Sequence, residues 1–581
     1  MDSQSSVLND SEKTVRYKLD NGMTVILEEN DSSPVVAVNV WVGTGSACEI
    51  DGEFGLAHVH EHMLFKGTKK RKVGEIARLV EAGGGDINAY TSFDETVYFV
   101  VSASRFLNET LDILSDVVEN STFDPGELEK ELEVVVEEIR RGEDSPSRVL
   151  SQKMFETAFD VHPYKRPIIG TMESVKSFTR EGILNFYKKW YSPQNMILVI
   201  VGDFDKGSIK KNIEKTFGNI KKRSIPECKL PKEPNQNNLK TFVINKDINE
   251  GYLSMGYHIT SAKDEDTPVI DVISNILGSG DSSRLFRNVK EEKALVNDIY
   301  SYAYTPKHEG LFVVGGTLES KKVKEAYKEI IKEIERLKTE PVSSEELSRA
   351  IINIESDSIY SKETMQGQAQ KLGFFELKTN DYKYEREYLN RVKNINEDDI
   401  IRISKKYFKK ENLTAGVLLP TSKNNITESE LKELVDNTYN EISMISDIAD
   451  EKNEDVQRYV LDNGIRLLIK ENHSVPLFAT RAAFLGGSRY EKESNNGISN
   501  FVSEMLTRGT KSRTAEEIAM EIESLAGSLE GFSGRNSIGV TVEGLSKNFI
   551  KTFEIFSDVI LNPTFLDKEI ERAKRRKSFQ I

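Results

Sequence analysis

Three of the seven histidines in this 581-residue chain fall within five residues, in Gly55-Leu56-Ala57-His58-Val59-His60-Glu61-His62-Met63-Leu64-Phe65-Lys66-Gly67-Thr68. On a helix, His58 and His62 stand i,i+4, one above the other on one face. Two imidazoles so placed can reach a single metal ion, and zinc is the usual occupant. Glu61 borders the same face and can take a proton from a water that the metal activates. The order is His-x-x-Glu-His, the inverse of the familiar His-Glu-x-x-His; the ordinary order fails because position 64 is Leu64. His60 lies about 200° around the helix from His58 and is expected to be a supporting or surface residue, not a ligand.

Further carboxylates come from a second helix. Asp124-Pro125 reads as an N-cap followed by proline at the first helical position, opening a helix to about Arg141. Its apolar face is Glu127, Leu128, Leu132, Val135, Val136 and Ile139. Glu131 and Glu138, seven apart, share nearly one line, while Glu137 points about 100° away. A charged helix face is more often merely solvated, so these glutamates carry no role by themselves.

The elements that must hold these helices alternate in type. Tyr17 to Leu27 reads as strand, Asn-Gly turn, strand. Val35 to Val42 is a β-branched strand, and a helix from about Val73 to Ala82 stops at Gly83-Gly84-Gly85. Ile87 to Thr91 and Thr96 to Val101 are strands, and Phe106 to Val118 has helical periodicity. Met196 to Gly202 reads as the closing strand of the first domain, and the lysine- and proline-rich 221–238 as a linker. A second domain repeats this grammar to about 423, with long helices from Lys321 to Leu337 and Ser344 to Leu377. Another helical stretch follows, from about 427 to 446, and then the acidic run 447–455.

An internal repeat decides the architecture. Tyr459-Val460-Leu461-Asp462-Asn463-Gly464 repeats Tyr17-Lys18-Leu19-Asp20-Asn21-Gly22 at an offset of 442 residues. The same offset carries Gly55 to Gly497, Gly67-Thr68 to Gly509-Thr510, Gly85 to Gly527 and Thr122-Phe123 to Thr564-Phe565. The copy keeps glycines and apolar positions and loses the chemistry: His58 becomes Asn500, Glu61 Ser503, His62 Glu504 and Glu138 Gln580. The expected organisation is a loose tail (1–14), a metal-binding domain (15–232), a second similar domain (233–423), a helical acidic linker (424–456) and a degenerate copy of the first domain (457–581). The fold class is α+β, built from repeated two-layer α/β domains in which helices pack an antiparallel-rich sheet.

With 30% charged and 38% hydrophobic residues the chain is ordinary globular material, and its net charge of −15 argues against a nucleic-acid surface. Cys48 and Cys228 are read as forming no disulfide framework and are not spaced for zinc. Neither a leader nor an apolar run near 18 residues is visible, so the expectation is a cytoplasmic protein without a membrane span.

The chain resembles the pitrilysin and insulin-degrading-enzyme family of zinc metallopeptidases, which includes the mitochondrial processing peptidase. Residues 55–68 carry that family's inverted motif and its context, and Glu131, Val134 and Glu138 match its Glu-x-x-Val-x-x-x-Glu helix. The resemblance implies one Zn2+ per chain on His58, His62 and Glu138, with Glu131 supporting the ligands and Glu61 as catalytic base. It implies hydrolysis of peptides or unfolded segments. Asn88-Ala89-Tyr90-Thr91 matches the edge strand on which the family lays its substrate. Such enzymes are clam-shells of two halves with two similar domains each, and an arginine and a tyrosine of the opposite half help hold the scissile carbonyl. Here the stretch aligned with that pair has Lys290 and Asn297 in their places. Ile581 falls mid-helix in the third domain, so the chain reads as the front of a four-domain protein whose partner is its own missing C-terminal half. The rival readings are a non-catalytic scaffold or processing-complex subunit of the same fold, or a truncated zinc-binding fragment with little turnover.

Overall fold

The computed structural model describes residues 14–422, 425–451, 457–471 and 476–578, in two compact units divided near Asp447. The expected tail, the end of the acidic linker and Gln580 lie outside these residues. The Asn21-Gly22 turn closes β1 (Thr14–Lys18) onto β2 (Thr24–Glu29), with Gly22 at φ 92°. Then β3 (Val35–Val42), β4 (Asp86–Thr91), β5 (Thr96–Ala103) and β6 (Met196–Gly202) complete a six-stranded sheet of order β1-β2-β6-β3-β5-β4. Only β2 and β6 run parallel. β6 is therefore a central strand, not a closing one, and all seven of its residues are buried. β4 is the free edge on the far side.

The second sheet, β7 (Lys240–Lys246), β8 (Gly251–Ile259), β9 (Asp298–Tyr304), β10 (Gly310–Leu318) and β11 (Leu413–Pro420), has the order β7-β11-β8-β10-β9. It is the first sheet's order without a counterpart of β1. The stretch expected as one helix from Ser344 to Leu377 is two, Ser344–Tyr360 and Met365–Thr379. Residues 361–364 break it, and Thr364 caps the second piece by accepting from the Gly367 N–H.

Those two sheets exchange cover. One face of the first sheet, with Ile26, Trp41, Val97 and Val199, is covered by the second domain's Met365–Thr379 helix through Met365, Ala369, Leu372 and Leu377. The helix comes so close that a Cβ on Gly373 would fall 2.1 Å from the Trp41 ring. In return the first domain's Pro146–Ala158 helix sends Leu150 and Met154 onto Phe242, Leu311, Val313 and Leu418 of the second sheet. Buried Lys378 adds ion pairs to Asp94 (2.7 Å) and Glu95 (2.6 Å). The other face of the first sheet packs on the histidine helix and its neighbours.

Cys48 and Cys228 are joined by a disulfide. This corrects the expectation that they form no framework: they are 180 residues apart in sequence, and only the fold brings the 221–238 segment back to the loop before the histidine helix.

In the second unit, β12 (Gln457–Val460) pairs β13 (Arg466–Ile469), while β14 (Leu477–Leu485), β15 (Ser528–Ser533) and β16 (Ser537–Leu545) form a separate sheet of order β14-β16-β15. The backbone repeats that of the first domain: φ is positive at Gly22, Gly55, Gly67, Gly84 and Phe123, and again at Gly464, Gly497, Gly509, Ala526 and Phe565. No counterpart of β6 stands between the two sheets among the described residues. Leu468 and Leu485 are 65% and 86% exposed, whereas β2 and β3 bury their central residues.

Candidate metal centre

The histidine helix spans Leu56–Leu64 and starts at Gly55, whose φ of 102° suits glycine. A Cβ there would meet the Ile169 carbonyl at 2.7 Å. Its first amides are capped from a distance by buried Glu49, whose two oxygens accept from the N–H groups of Gly55 (2.9 Å) and Ala57 (2.8 Å). Glu491 caps Gly497 and Ser499 in the same way in the copy, so this carboxylate belongs to the scaffold. Leu56, Val59, Met63 and Leu64 anchor the helix in the core and turn His58 and His62 outward.

The second contributing helix runs Pro125–Asp144, with the Asp124 carboxylate accepting from the N–H groups of Gly126 and Glu127. Leu128, Val135, Val136 and Ile139 bury its inner face. Glu138 meets the histidines: its Oε2 lies 3.7 Å from His58 Nε2 and 3.6 Å from His62 Nε2. These three are the group among the described residues whose donor atoms could hold one metal ion, all within 4.8 Å of one another. Two ligands on a tetrahedral zinc lie about 3.3 Å apart, so two neutral nitrogens and a carboxylate at these separations fit that ion.

Burial, and after it His62, push His58 down to about 3, which keeps its ring neutral and its lone pair free to ligate. His62 Nδ1 lies 3.2 Å from Glu131 Oε2. With the proton on Nδ1, Nε2 is left to a metal, the support that a ligating histidine commonly receives. Glu131 is itself buried and held by Lys66 at 2.6 Å. Lys66 was missed in the sequence; its i,i+4 spacing from His62 was the available signal. Glu137 points away and pairs with Arg140.

His60 lies fully in the core, not in a supporting or surface place. Its ring packs on Phe123, Phe186 and Tyr191, and its nitrogens face the carbonyls of Leu56 and Ile183. Burial lowers it to about 4, opposed by its contacts with the Leu56 and Ile183 carbonyls.

The edge strand β4 carries Asn88, Ala89, Tyr90 and Thr91 beside the histidine helix. Tyr90 accepts from the Gln370 amide of the second domain and stands edge-on to Trp41. Thr91 points the other way, and its hydroxyl donates to Glu61 Oε2 at 2.6 Å. Burial raises the Glu61 carboxyl, opposed by the Thr91 hydrogen bond and then by His62. Neither Gln370 nor the Thr91–Glu61 bond was legible in the sequence. Lys290 lies near Asp298, and Asn297 bonds Glu250.

The family model described as insulinase, peptidase family M16, matches residues 24–172 and again 466–581. A second model, described as the peptidase M16 inactive domain, matches 177–354. The chain belongs to the M16 peptidase family. An uncharacterized zinc protease of Rickettsia felis is 31% identical over 399 residues, 67% of this chain and 94% of that protein. The zinc protease PqqE of Helicobacter pylori is 31% identical over 411 residues, 69% of this chain and 92% of that one. Among solved structures, a protease from Helicobacter pylori superposes with a TM-score of 0.67 at 29% identity, over 70% of this chain and all of that one. The periplasmic protease PqqL from Escherichia coli, with a TM-score of 0.64 and 18% identity, covers 99% of this chain; the match spans 68% of that chain and bears on the fold alone. The M16 chain is thus a mixed α/β protein of helix-packed sheets, and no helix among its described residues is long and apolar enough to cross a membrane.

Proposed function

We propose that this M16 protein is a zinc-dependent endopeptidase acting on peptides or unfolded polypeptide segments. The observation that carries the reading is the convergence of His58, His62 and Glu138 with Glu61 beside them, on a scaffold whose copy keeps the capping glutamate and loses the donors. One Zn2+ per chain would be held by those three donors, oriented through Glu131. A zinc ion bound there would supply Lewis-acid chemistry, making a water more acidic and the scissile carbonyl more electrophilic. Glu61 takes the water's proton and returns it to the leaving amine, a task suited to a carboxyl that burial has raised. The β4 edge, with Asn88, Ala89, Tyr90 and Thr91, accepts the substrate as an added strand, so recognition rests on backbone pairing and tolerates many sequences.

The two second-domain positions aligned with the family's arginine and tyrosine are Lys290 and Asn297, which face Asp298 and Glu250. We assign the holding of the scissile carbonyl to a further half of the protein as the partner in catalysis. The Cys48–Cys228 disulfide weighs against the cytoplasm and favours an oxidising compartment. A non-catalytic scaffold is the second reading, favoured by the match of 177–354 to an inactive-domain model. The test pairs elemental analysis with hydrolysis of a quenched fluorescent peptide. One zinc per chain with cleavage that chelation abolishes and zinc restores supports the peptidase; zinc binding with no cleavage, even when the further half is added, leaves the scaffold.

A further inference from the structure

Thr91 ends β4 at the point where that strand meets the histidine helix. Its hydroxyl donates to Glu61 Oε2 at 2.6 Å, while Tyr90, one residue earlier and on the opposite face, is gripped by Gln370 and Trp41. The end of the edge strand is therefore tied on one side to the second domain's Met365–Thr379 helix and on the other to the carboxylate beside the metal donors. From this geometry we infer that Thr91 is a positioning residue for the base: its hydroxyl holds Glu61 Oε2 and fixes the base relative to the strand on which the peptide lies. The inference rests on the peptidase reading and deepens it.

The chemistry asks for such a residue. A glutamate side chain has three rotatable bonds, and a carboxylate that swings must be caught in a productive orientation at every turnover. A hydroxyl donor fixes one oxygen without neutralising the charge, whereas a lysine or arginine there would make a poorer base. Because Thr91 is itself a β4 residue, the base and the substrate strand cannot shift independently. A peptide paired along Asn88 to Thr91 arrives in a register already set against Glu61.

The copy separates this role from plain scaffolding. Ser533 keeps a hydroxyl at the matching strand end, but Ser503 replaces the glutamate and turns its own hydroxyl to the Asn500 carbonyl at 2.9 Å. A strand-end hydroxyl is thus compatible with the fold in both copies, and the bond to a carboxylate is what the first copy adds. The second domain, which contributes no ligand, gains an indirect part: Gln370 steadies Tyr90, and through the strand steadies Thr91.

The experiment compares Thr91→Val, which keeps the shape and removes the donor, with Thr91→Ser, which restores it, in the full chain. Zinc content, kcat and KM on a fluorescent peptide, and the Glu61 side chain in crystals of the zinc-free variants are measured. The expected result for Thr91→Val is one zinc per chain, a KM within about twofold of the parent, a kcat lower by about 10–100-fold and a displaced Glu61 carboxylate. Thr91→Ser should return kcat to within about threefold and the carboxylate to its place. A Thr91→Val protein with parental kcat, or one whose loss lies wholly in KM or in zinc, overturns the inference. Glu61→Gln is the control for the underlying reading: parental turnover in that variant removes the base itself. Should the parent cleave nothing even when the further half is added, the peptidase reading falls, and an unmoved Glu61 in zinc-free Thr91→Val crystals still overturns the positioning role.

Discussion

At the scale of single residues, the two copies sort chemistry from structure. Glu49 and Glu491 cap equivalent helices, and Thr68, Arg71 and Asp116 form a polar cluster that Thr510, Arg513 and Asp558 repeat. What survives in both belongs to the fold; the candidate metal donors are confined to the first. Glu61→Gln should keep one zinc by elemental analysis and lose at least about 10²-fold in peptide cleavage, because an amide cannot accept the proton. His58→Ala should lose stoichiometric zinc. His60→Ala should do the opposite: zinc stays near one per chain, while urea denaturation shows a loss of about 2–4 kcal/mol from the emptied aromatic pocket. Loss of zinc in that variant would mean that His60 is not the core residue described.

At the scale of elements, the histidine helix is locked by contacts distant in sequence. The Cys48–Cys228 disulfide ties the 221–238 segment to the loop that carries Glu49, the helix's cap. Closing so long a loop removes entropy from the unfolded chain, so the double variant Cys48→Ser, Cys228→Ser should lose about 2–4 kcal/mol in denaturation, and the parent should lose the same on adding reductant. The Met365–Thr379 helix provides a second check. Gly373→Ala puts a methyl against a Trp41 ring that is itself wholly buried, so neither side can give way. A cost of about 1–3 kcal/mol is expected, read as a shift in the denaturation midpoint. An unchanged midpoint would show that the helix and sheet are packed less tightly than the geometry here requires.

At the scale of the whole molecule, residues 1–447 are one unit because each sheet is covered partly by the other domain's helix. Residues 1–232 leave Trp41 and Ile197 uncovered and the Pro146–Ala158 helix without a sheet to pack against. A fragment of residues 1–447 should therefore unfold in a single cooperative transition and bind one zinc. A fragment of residues 1–232 should aggregate or expose enough apolar surface to bind a hydrophobic dye. Soluble, cooperative folding of the shorter fragment would show that the exchanged helices are dispensable. In the second unit Leu468 is exposed, whereas its counterpart in the first domain, Ile26, is fully buried.

The sequence by itself pointed to the histidine pair and its glutamate as candidate donors and base. Histidines four apart, a glutamate between them, an N-cap with proline and a 442-residue repeat are local patterns, and local spacing fixes which side chains share a helix face. Which glutamate of the second helix faces the histidines also followed, because Glu131 and Glu138 lie on one line and the family motif names them. What only the tertiary structure decided depends on pairs far apart in the chain. Strand β6 takes the centre of its sheet by pairing with β2 and β3, more than 150 residues away, and nothing in Met196–Gly202 alone tells a central strand from a closing one. The disulfide, the exchanged helices and the Thr91 bond to Glu61 are of the same kind. Each is a contact between surfaces that exist only after the chain has closed, so no periodicity or spacing along the sequence records it.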